Sequence, residues 1–356
     1  MKKKLTALAL AAVMMLMLAA GCARSETDHK IAMVTDSASV SDNHLNQAVW
    51  QGLELIADEY GADINFFRPS GPSTDNFMEG VDTLIENGYD VIVFPGALFT
   101  ETLERACAAY PDCIFVGIDC DMESVPSNAV TVSFDKSQAG FLAGLAAAIE
   151  LDGKTFGCVL GSSSPFAEEL VSGLMQGVEY AREHYGSTAV LSHENMVLLD
   201  DTANYPLGQQ QAAMLFDSGV DCILVSSDPT GLGAAAEARM RALMGDEVYI
   251  IGSDADMYVT AEYDTEKELS CAVTSAMSDY SAAICSVAKD IIVGGDAQLG
   301  KNLVFDLGSG SVGLPEENPA LSQEALDAAA DAAKKISSGE LVVANMTASS
   351  NAAAKN

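Results

Sequence analysis

The chain has 356 residues, of which 49% are hydrophobic and only 19% are charged, and its formal net charge at pH 7 is −33. So acidic a surface repels polyanions, which excludes nucleic acid as a partner and argues against adsorption to anionic membrane surfaces. The length is sufficient for two domains of ordinary size.

The first residues predict a signal peptide with a lipid-attachment site. Three lysines at 2–4 precede an apolar run at 5–18, which is shorter than the roughly 20 residues that span a bilayer and is typical of a signal-peptide core. Small residues then lead to Cys22 and resemble the lipobox of bacterial lipoproteins. We therefore expect residues 1–21 to be a cleaved signal peptide, Cys22 to be lipidated, and 22–29 to be a tether on the extracytoplasmic face of the cell membrane. The alternative is an ordinary secretory signal with Cys22 incidental.

Beyond the tether, short apolar strands alternate with amphipathic helices. The helix predicted at 46–60 places Val49, Leu53, Ile56 and Tyr60 on one face. Such alternation favours a parallel sheet that is covered by helices on both faces. The predicted strands of the first half are 31–35, 63–67, 91–94 and 113–118, and its other predicted helices are 100–109 and one marked by Phe77, Val81, Leu84 and Ile85.

The second half of the chain repeats the first. The segment Gly-Tyr-Asp-Val-Ile-Val at 88–93 is echoed by Gly-Val-Asp-Cys-Ile-Leu at 219–224, and Gly-Ile-Asp-Cys-Asp-Met at 117–122 by Gly-Ser-Asp-Ala-Asp-Met at 252–257. Two echoes in the same order predict an α/β protein with two doubly wound lobes of similar topology and a hinge between them. The alternative is chance matching of glycine and aspartate at strand ends.

The lobes are predicted to interleave along the chain. We expect an N-terminal lobe of 30–134 plus 272–300 and a C-terminal lobe of 135–271 plus 301–345. The chain would then cross between the lobes near 133–135, near Cys271 and near Gly300. A final alanine-rich helix is predicted at 322–338, and 346–356 reads as a disordered tail.

Three aspartates, Asp36, Asp119 and Asp254, directly follow predicted strands. In open parallel sheets a ligand binds beyond the carboxyl ends of the strands. Carboxylates from both lobes are therefore expected in one cleft. The polar loop that follows the first strand adds further candidate contacts, although Asp42 or Asn43 in that loop can instead cap the next helix.

Enzymatic chemistry finds little support in the sequence. There is no Gly-x-Ser-x-Gly motif, and the four histidines, His29, His44, His184 and His193, are scattered. Seven cysteines remain besides Cys22, and none forms a zinc-like cluster, so we expect free buried thiols and no metal or cofactor. The sequence predicts a protein that is not an enzyme.

One glycine-rich segment offers a rival interpretation. Residues 231–236 match Gly-x-Gly-x-x-Ala, and Asp254 lies about 20 residues further on, as in a dinucleotide-binding oxidoreductase. A polar stretch at 226–229 separates the preceding strand from the glycines, which weakens that interpretation. The alternative is that the glycines permit close packing of the helix or close approach to a ligand.

The loop at 34–47, followed by Trp50-Gln51-Gly52, resembles the first block of the basic membrane protein family of lipoproteins, a nucleoside-binding group of importer components. Other blocks agree in the same order over nearly the whole chain after the signal peptide. They are 128–144, 173–177, Thr230-Gly231-Leu232-Gly233, Ile251-Gly252-Ser253-Asp254, Thr274-Ser275 and 308–314 with Ser311-Val312-Gly313-Leu314.

The resemblance implies a periplasmic-binding-protein type I fold, in which two lobes close on a ligand like a Venus flytrap. It implies capture of a purine nucleoside for an ABC importer, with a membrane permease and its ATPase as partners. Asp36, Asp119 and Asp254 match the family's carboxylates, which suit a vicinal diol because a carboxylate accepts two strong hydrogen bonds. A ligand-sensing lipoprotein without transport is the alternative function.

Two positions depart from the family pattern: Leu45 stands where the family has a stacking phenylalanine, and Ser278 where it has a lysine. Phe99, Phe166 or Tyr205 are candidates to supply an aromatic face instead. The full set of predicted ligand contacts is Asp36, Ser37, Asp42, His44, Leu45, Asn46, Gly96, Asp119, Phe166, Thr230, Gly231, Asp254 and Ser278.

Overall fold

The computed structural model describes residues 29–41, 44–294 and 298–344. The predicted signal peptide, Cys22, nearly all of the tether, Asp42 with Asn43, and the predicted tail lie outside the described residues. Within the described ranges, no helix combines the length and the apolar character that a membrane span requires.

Strands and helices alternate along the chain as predicted, with ends that differ by only a few residues. The strands are β1 (Lys30–Val34), β2 (Asp63–Phe67), β3 (Val91–Pro95), β4 (Ile114–Ile118), β5 (Ala129–Phe134), β6 (Thr155–Leu160), β7 (Val190–Leu198), β8 (Cys222–Val225), β9 (Tyr249–Asp254), β10 (Glu262–Asp264), β11 (Leu269–Ser270), β12 (Ala272–Ser278), β13 (Lys301–Phe305) and β14 (Val312–Gly313). The helices are α1 (Leu45–Tyr60), α2 (Thr74–Glu86), α3 (Thr100–Ala109), α4 (Lys136–Glu150), α5 (Pro165–Tyr185), α6 (Tyr205–Asp217), α7 (Pro229–Met244), α8 (Tyr280–Ile292) and α9 (Gln323–Ser337).

Two six-stranded sheets have the same internal order, which confirms the two-lobe α/β prediction. The first runs β13-β5-β4-β3-β1-β2 and the second β14-β12-β9-β8-β6-β7. Their strands are parallel, except that β14 pairs antiparallel to β12. Each of the first five strands of one lobe therefore has a counterpart at the same place in the other, as the internal echoes predicted.

The strands next to the sheet centres are apolar along their whole length because helices cover both faces. In β3 every residue is buried, and in β8 likewise. Helix α1 buries Val49, Leu53 and Ile56 against the first sheet, the face that its periodicity predicted. It ends at Gly61, whose φ of 74° is the left-handed conformation that glycine adopts without steric strain.

Two of the three crossings between the lobes differ from their predicted places. The chain leaves the first sheet after Phe134 and enters the second lobe with α4. It returns only after Ser278, because β12 pairs with β9 in the second sheet, and α8 then packs on α1. It crosses last between β13 and β14, because β13 pairs with β5 in the first sheet. Hence 272–278 belongs to the second lobe and 301–305 to the first, the reverse of the predicted assignment.

The seven cysteines at 107, 113, 120, 158, 222, 271 and 285 are all free. Five of these seven side chains are buried and two are partly buried. Burial raises the pKa of the Cys120 and Cys158 thiols to about 12, so they are protonated and unreactive at neutral pH. They pack as small apolar side chains, as the sequence predicted.

Candidate functional site

A cleft of about 510 Å³ lies between the lobes at the carboxyl ends of the strands. This is where the strand topology places a ligand. Seven of the predicted contacts line it, and they come from both lobes. They are Asp36, His44, Leu45, Gly96, Asp119, Phe166 and Asp254.

Asp119 and Asp254 meet at the floor of the cleft around a buried lysine. The Lys136 ammonium lies 3.2 Å from Asp119 Oδ2 and 2.9 Å from Asp254 Oδ1, and it donates to the Tyr280 hydroxyl at 2.8 Å. That hydroxyl is 2.9 Å from Asp254 Oδ1 and 3.1 Å from Asp119 Oδ2, so its single proton can serve either carboxylate. Asp119 Oδ1 is buried and has no hydrogen-bond partner among the described residues.

The charges of this cluster depend on one another. Burial opposes the charge on Lys136, but attraction by Asp119 and Asp254 outweighs it and raises the lysine pKa well above its usual value. Burial likewise opposes the charge on Asp254, yet the lysine and the tyrosine hydroxyl lower its pKa. For Asp119 burial prevails and the pKa is raised, with the Asp254 charge acting in the same direction. Asp254 is therefore the firmer counterion of Lys136.

Both aspartates have an unusual backbone conformation. Asp119 follows β4 with a φ of 50°, and Asp254 ends β9 with a φ of 64°. Aspartate is one of the few residues besides glycine that tolerate this left-handed region. The same turn at equivalent strand ends directs both carboxylates toward one point, and such strain concentrates at functional sites.

The loop after β1 holds Asp36 in place. Its Oδ1 accepts a hydrogen bond from the Ala38 amide at 3.0 Å and from Asn46 Nδ2 at 2.8 Å. Ser37 has a φ of 87°, and its carbonyl accepts from Arg68 Nε at 2.7 Å. Asn46 and Ser37 thus shape the loop around Asp36, and neither lines the cleft.

A hydrogen bond joins the two lobes across the mouth of the site. His44 Nδ1, at the start of α1, lies 2.8 Å from Ser227 Oγ, which follows β8. The adjacent Asp228 caps α7 by accepting from the Gly231 amide at 2.9 Å. Burial raises the pKa of Asp228, so its ionised form is held at a cost in stability.

Asp228→Asn is expected to raise the melting temperature at pH 7, because asparagine keeps the cap without the buried charge. Because the pKa of Asp228 is higher in the folded than in the unfolded protein, the protonated acid stabilises the fold at pH values below its unfolded pKa of about 4. This contribution to the free energy of unfolding is lost as the pH rises through the folded-state pKa. The gain should therefore shrink on acidification toward pH 4, as measured by thermal denaturation at both pH values.

Asp152→Asn is the matched control, with the opposite sign at pH 7. Asp152 accepts from the Thr188 amide and hydroxyl, and these bonds lower its pKa. Its contribution is present above the unfolded pKa and fades as pH falls, so this variant should melt lower at pH 7. A lower melting temperature for Asp228→Asn at pH 7 would contradict the assignment of a costly buried charge.

Besides Ser37 and Asn46, three further predicted contacts are not on the cleft wall. Thr230 hydrogen-bonds to the backbone of the loop before α6, and Gly231 lies in the first turn of α7. A Cβ on Gly231 would overlap the Ser226 carbonyl, and one on Gly233 the Tyr205 carbonyl. These glycines therefore serve close packing of α7, and the dinucleotide interpretation is not supported. Ser278 pairs with Val312 within the sheet.

Of the aromatic candidates, only Phe166 lines the cleft. Phe99 is fully buried and packs against Phe77 and Phe94, with ring centroids 4.3 and 5.5 Å away. Tyr205 is exposed and lies elsewhere. Leu45 and Leu98 also line the cleft and add apolar surface to it.

Sequence reasoning missed Lys136 and Tyr280. A signal for Lys136 was present, because it is the only charged residue of α4 before Glu150 in a helix that is otherwise almost entirely buried. Tyr280 lies in the first turn of α8, directly after the second crossing. Both residues stand at hinges, where the chain passes between lobes and where a side chain can reach either one.

Two lobes of equal strand order, three crossings and a polar cleft between them define a fold of the periplasmic-binding-protein type. The family model described as ABC transporter substrate-binding protein PnrA-like matches residues 29–347. The chain belongs to this Bmp family of ABC transporter substrate-binding proteins.

Similar proteins agree with this assignment. The ABC transporter nucleoside-binding protein BmpA of Lactococcus lactis subsp. cremoris is 24% identical over 96% of this chain and 99% of its own. A CD4+ T-cell-stimulating antigen of Listeria innocua is 26% identical, over 90% of this chain and 89% of its own. The crystal structure of an ABC transporter solute-binding protein from Aeropyrum pernix superposes with a TM-score of 0.73 at 20% identity, covering 92% of this chain and 96% of that one.

Proposed function

We propose that this substrate-binding protein captures a purine-type nucleoside for an ABC importer and is held at the extracytoplasmic face of the cell membrane by a lipid on Cys22. The observation that carries the proposal is the pair of carboxylates, Asp119 and Asp254, brought together from both lobes at the cleft floor. The nucleoside-binding relative from Lactococcus supports the same ligand class. The protein binds and releases its solute without chemical change.

The cleft suits a ligand with one polar and one apolar part. Its volume of about 510 Å³ lies within the 300–1,000 Å³ that is usual for small-molecule sites. Asp36 and Asp254, whose side chain is 21% exposed, offer acceptors for sugar hydroxyls. Phe166, Leu45 and Leu98 offer apolar surface for a flat base.

Closure of the two lobes couples capture to delivery. A solute that contacts both lobes favours the closed form by its differential affinity for that form. The His44–Ser227 bond and the Lys136 cluster join the same two lobes, so they reinforce closure. The closed protein would then dock on a permease whose transport is driven by a cytoplasmic ATPase.

A thermal-shift panel tests the ligand class directly. Adenosine, guanosine and inosine are compared with free bases, ribose and glucose. A ligand at 100 times its dissociation constant adds about 2.7 kcal/mol to the free energy of unfolding, which for a chain this long raises the melting temperature by roughly 1.5 °C per kcal/mol. We expect a rise of several degrees with at least one nucleoside and none with ribose alone. A response to non-nucleosides only would show that the cleft serves another solute.

A further inference from the structure

One cation is built into the cleft. Lys136 is the only lysine or arginine among the described residues that line it, and its side chain is only 10% exposed. It enters from the first turn of α4 in the second lobe and reaches Asp119 in the first. The Tyr280 ring, which packs edge-on against Phe134 at 4.6 Å, keeps the third partner of the ammonium in place.

We propose that Lys136 is a specificity-determining residue, which restricts the cleft floor to neutral solutes that donate hydrogen bonds. This inference rests on the proposed capture of a small polar solute, and it names the charge class that the same site accepts. The lysine acts as the internal counterion of Asp119 and Asp254.

A cationic solute finds its binding place already taken. Two carboxylates that converge on one point are the natural partner of an ammonium group, and here that point holds the Lys136 nitrogen. A second positive charge at the floor would lie beside the first in a buried setting, where like charges repel strongly.

An anionic solute finds no free ammonium proton at the same place. An ammonium has three N–H groups, and those of Lys136 are directed to Asp119, Asp254 and Tyr280. Asp36 and Asp228 add negative charge to the walls. What remains at the floor is Asp254, whose side chain is 21% exposed and whose carboxylate can accept a hydrogen bond from a neutral hydroxyl.

The first test needs no knowledge of the solute. Lys136→Ala removes the side chain beyond Cβ, which corresponds to n-propylammonium. We expect this variant to melt below the wild type and to recover with millimolar n-propylammonium chloride. The melting temperature of the wild type should not change with n-propylammonium. Tetramethylammonium, which has no N–H group, should not raise the melting temperature of either protein. Lys335→Ala on the surface of α9 is the control and should behave as the wild type. An equal response of Lys136→Ala and wild type to n-propylammonium would overturn the proposal.

The second test measures specificity with the variant Lys136→Met. Methionine packs in the same space as the aliphatic part of the lysine side chain, so the variant should keep its fold. Affinities for adenosine and for 3′-amino-3′-deoxyadenosine are compared by calorimetry at pH 6. We expect the wild type to prefer adenosine by about tenfold or more, as like-charge juxtaposition requires, and the variant to lose or reverse that preference. An unchanged preference in the variant would overturn the role of Lys136. If the wild type binds no nucleoside, the proposed function fails, and the propylammonium result alone then decides the role of Lys136.

Discussion

Asp254→Asn should lower the affinity for the captured nucleoside by at least about 25-fold, because truncating one partner of a buried, hydrogen-bonded charge pair costs roughly 2–5 kcal/mol and each 1.4 kcal/mol is tenfold in affinity. Asp254 is the firmer partner of Lys136 and one of the two carboxylates at the cleft floor. The substitution removes the exposed carboxylate from the cleft floor, so a solute hydroxyl loses its charged acceptor there. Calorimetric titration of the variant with the best nucleoside of the panel measures the loss.

Asparagine is the informative replacement at this position. Residue 254 has a φ of 64°, which asparagine tolerates and alanine does not, so a loss of affinity cannot be attributed to a distorted turn. The variant leaves one lysine facing one aspartate, so the remaining buried charges balance each other and the melting temperature should change little. Asp246→Asn, on the exposed loop after α7, is the control with unchanged affinity. Wild-type affinity in Asp254→Asn would remove this residue from the site.

Gly177→Ala should destabilise the second lobe by about 2 kcal/mol or more, since extra atoms forced into a packed contact cost roughly 1–3 kcal/mol. Helices α4 and α5 cross at four glycines, Gly140 and Gly144 on one and Gly173 and Gly177 on the other. A Cβ on any of them would overlap a backbone carbonyl oxygen of the opposite helix, which for Gly177 is that of Phe141. The direction of the change in stability is informative, because replacing glycine by alanine in a helix interior normally stabilises the helix by about 1 kcal/mol.

Urea denaturation, followed by circular dichroism, measures this change as a lower midpoint. Gly177→Val should have a larger effect than alanine, because a branched side chain needs more room at the same contact. Glu183→Ala, at an exposed position of α5, is the control and should stay within about 0.5 kcal/mol of the wild type. A stabilised Gly177→Ala would show that the two helices are not in backbone contact.

Much of the fold follows from local sequence patterns. Strands such as β3 are uninterrupted apolar runs that end in proline and glycine, and helices such as α1 carry an apolar stripe of helical period, so each pattern indicates its own type of element. The echo of residues 117–119 in 252–254 predicted that two lobes would present equivalent aspartates. The structure confirms the equivalence, down to the left-handed backbone of both residues.

The placement of the late strands does not follow from such patterns. Both β12 and β13 are short strands near the end of the chain, and their patterns are compatible with either lobe. Which sheet a strand joins is decided by backbone pairing with distant strands, here β9 for one and β5 for the other. Such pairing leaves no local trace, which is why two crossings were predicted several residues too early.

The sequence by itself determined the two equivalent lobes and the aspartates at their strand ends, because these follow from local patterns and from a repeat within the chain. The class of protein followed from the resemblance of its sequence blocks to a known family. Only the tertiary structure decided what those aspartates face. Lys136 lies 118 residues from Asp254 and 144 residues from Tyr280 in sequence. These three side chains and Asp119 meet solely because the crossings bring the lobes together. The charge of a buried site is the sum over all groups that converge on it, so the solute class that this cleft admits is set by contacts between distant segments of the chain.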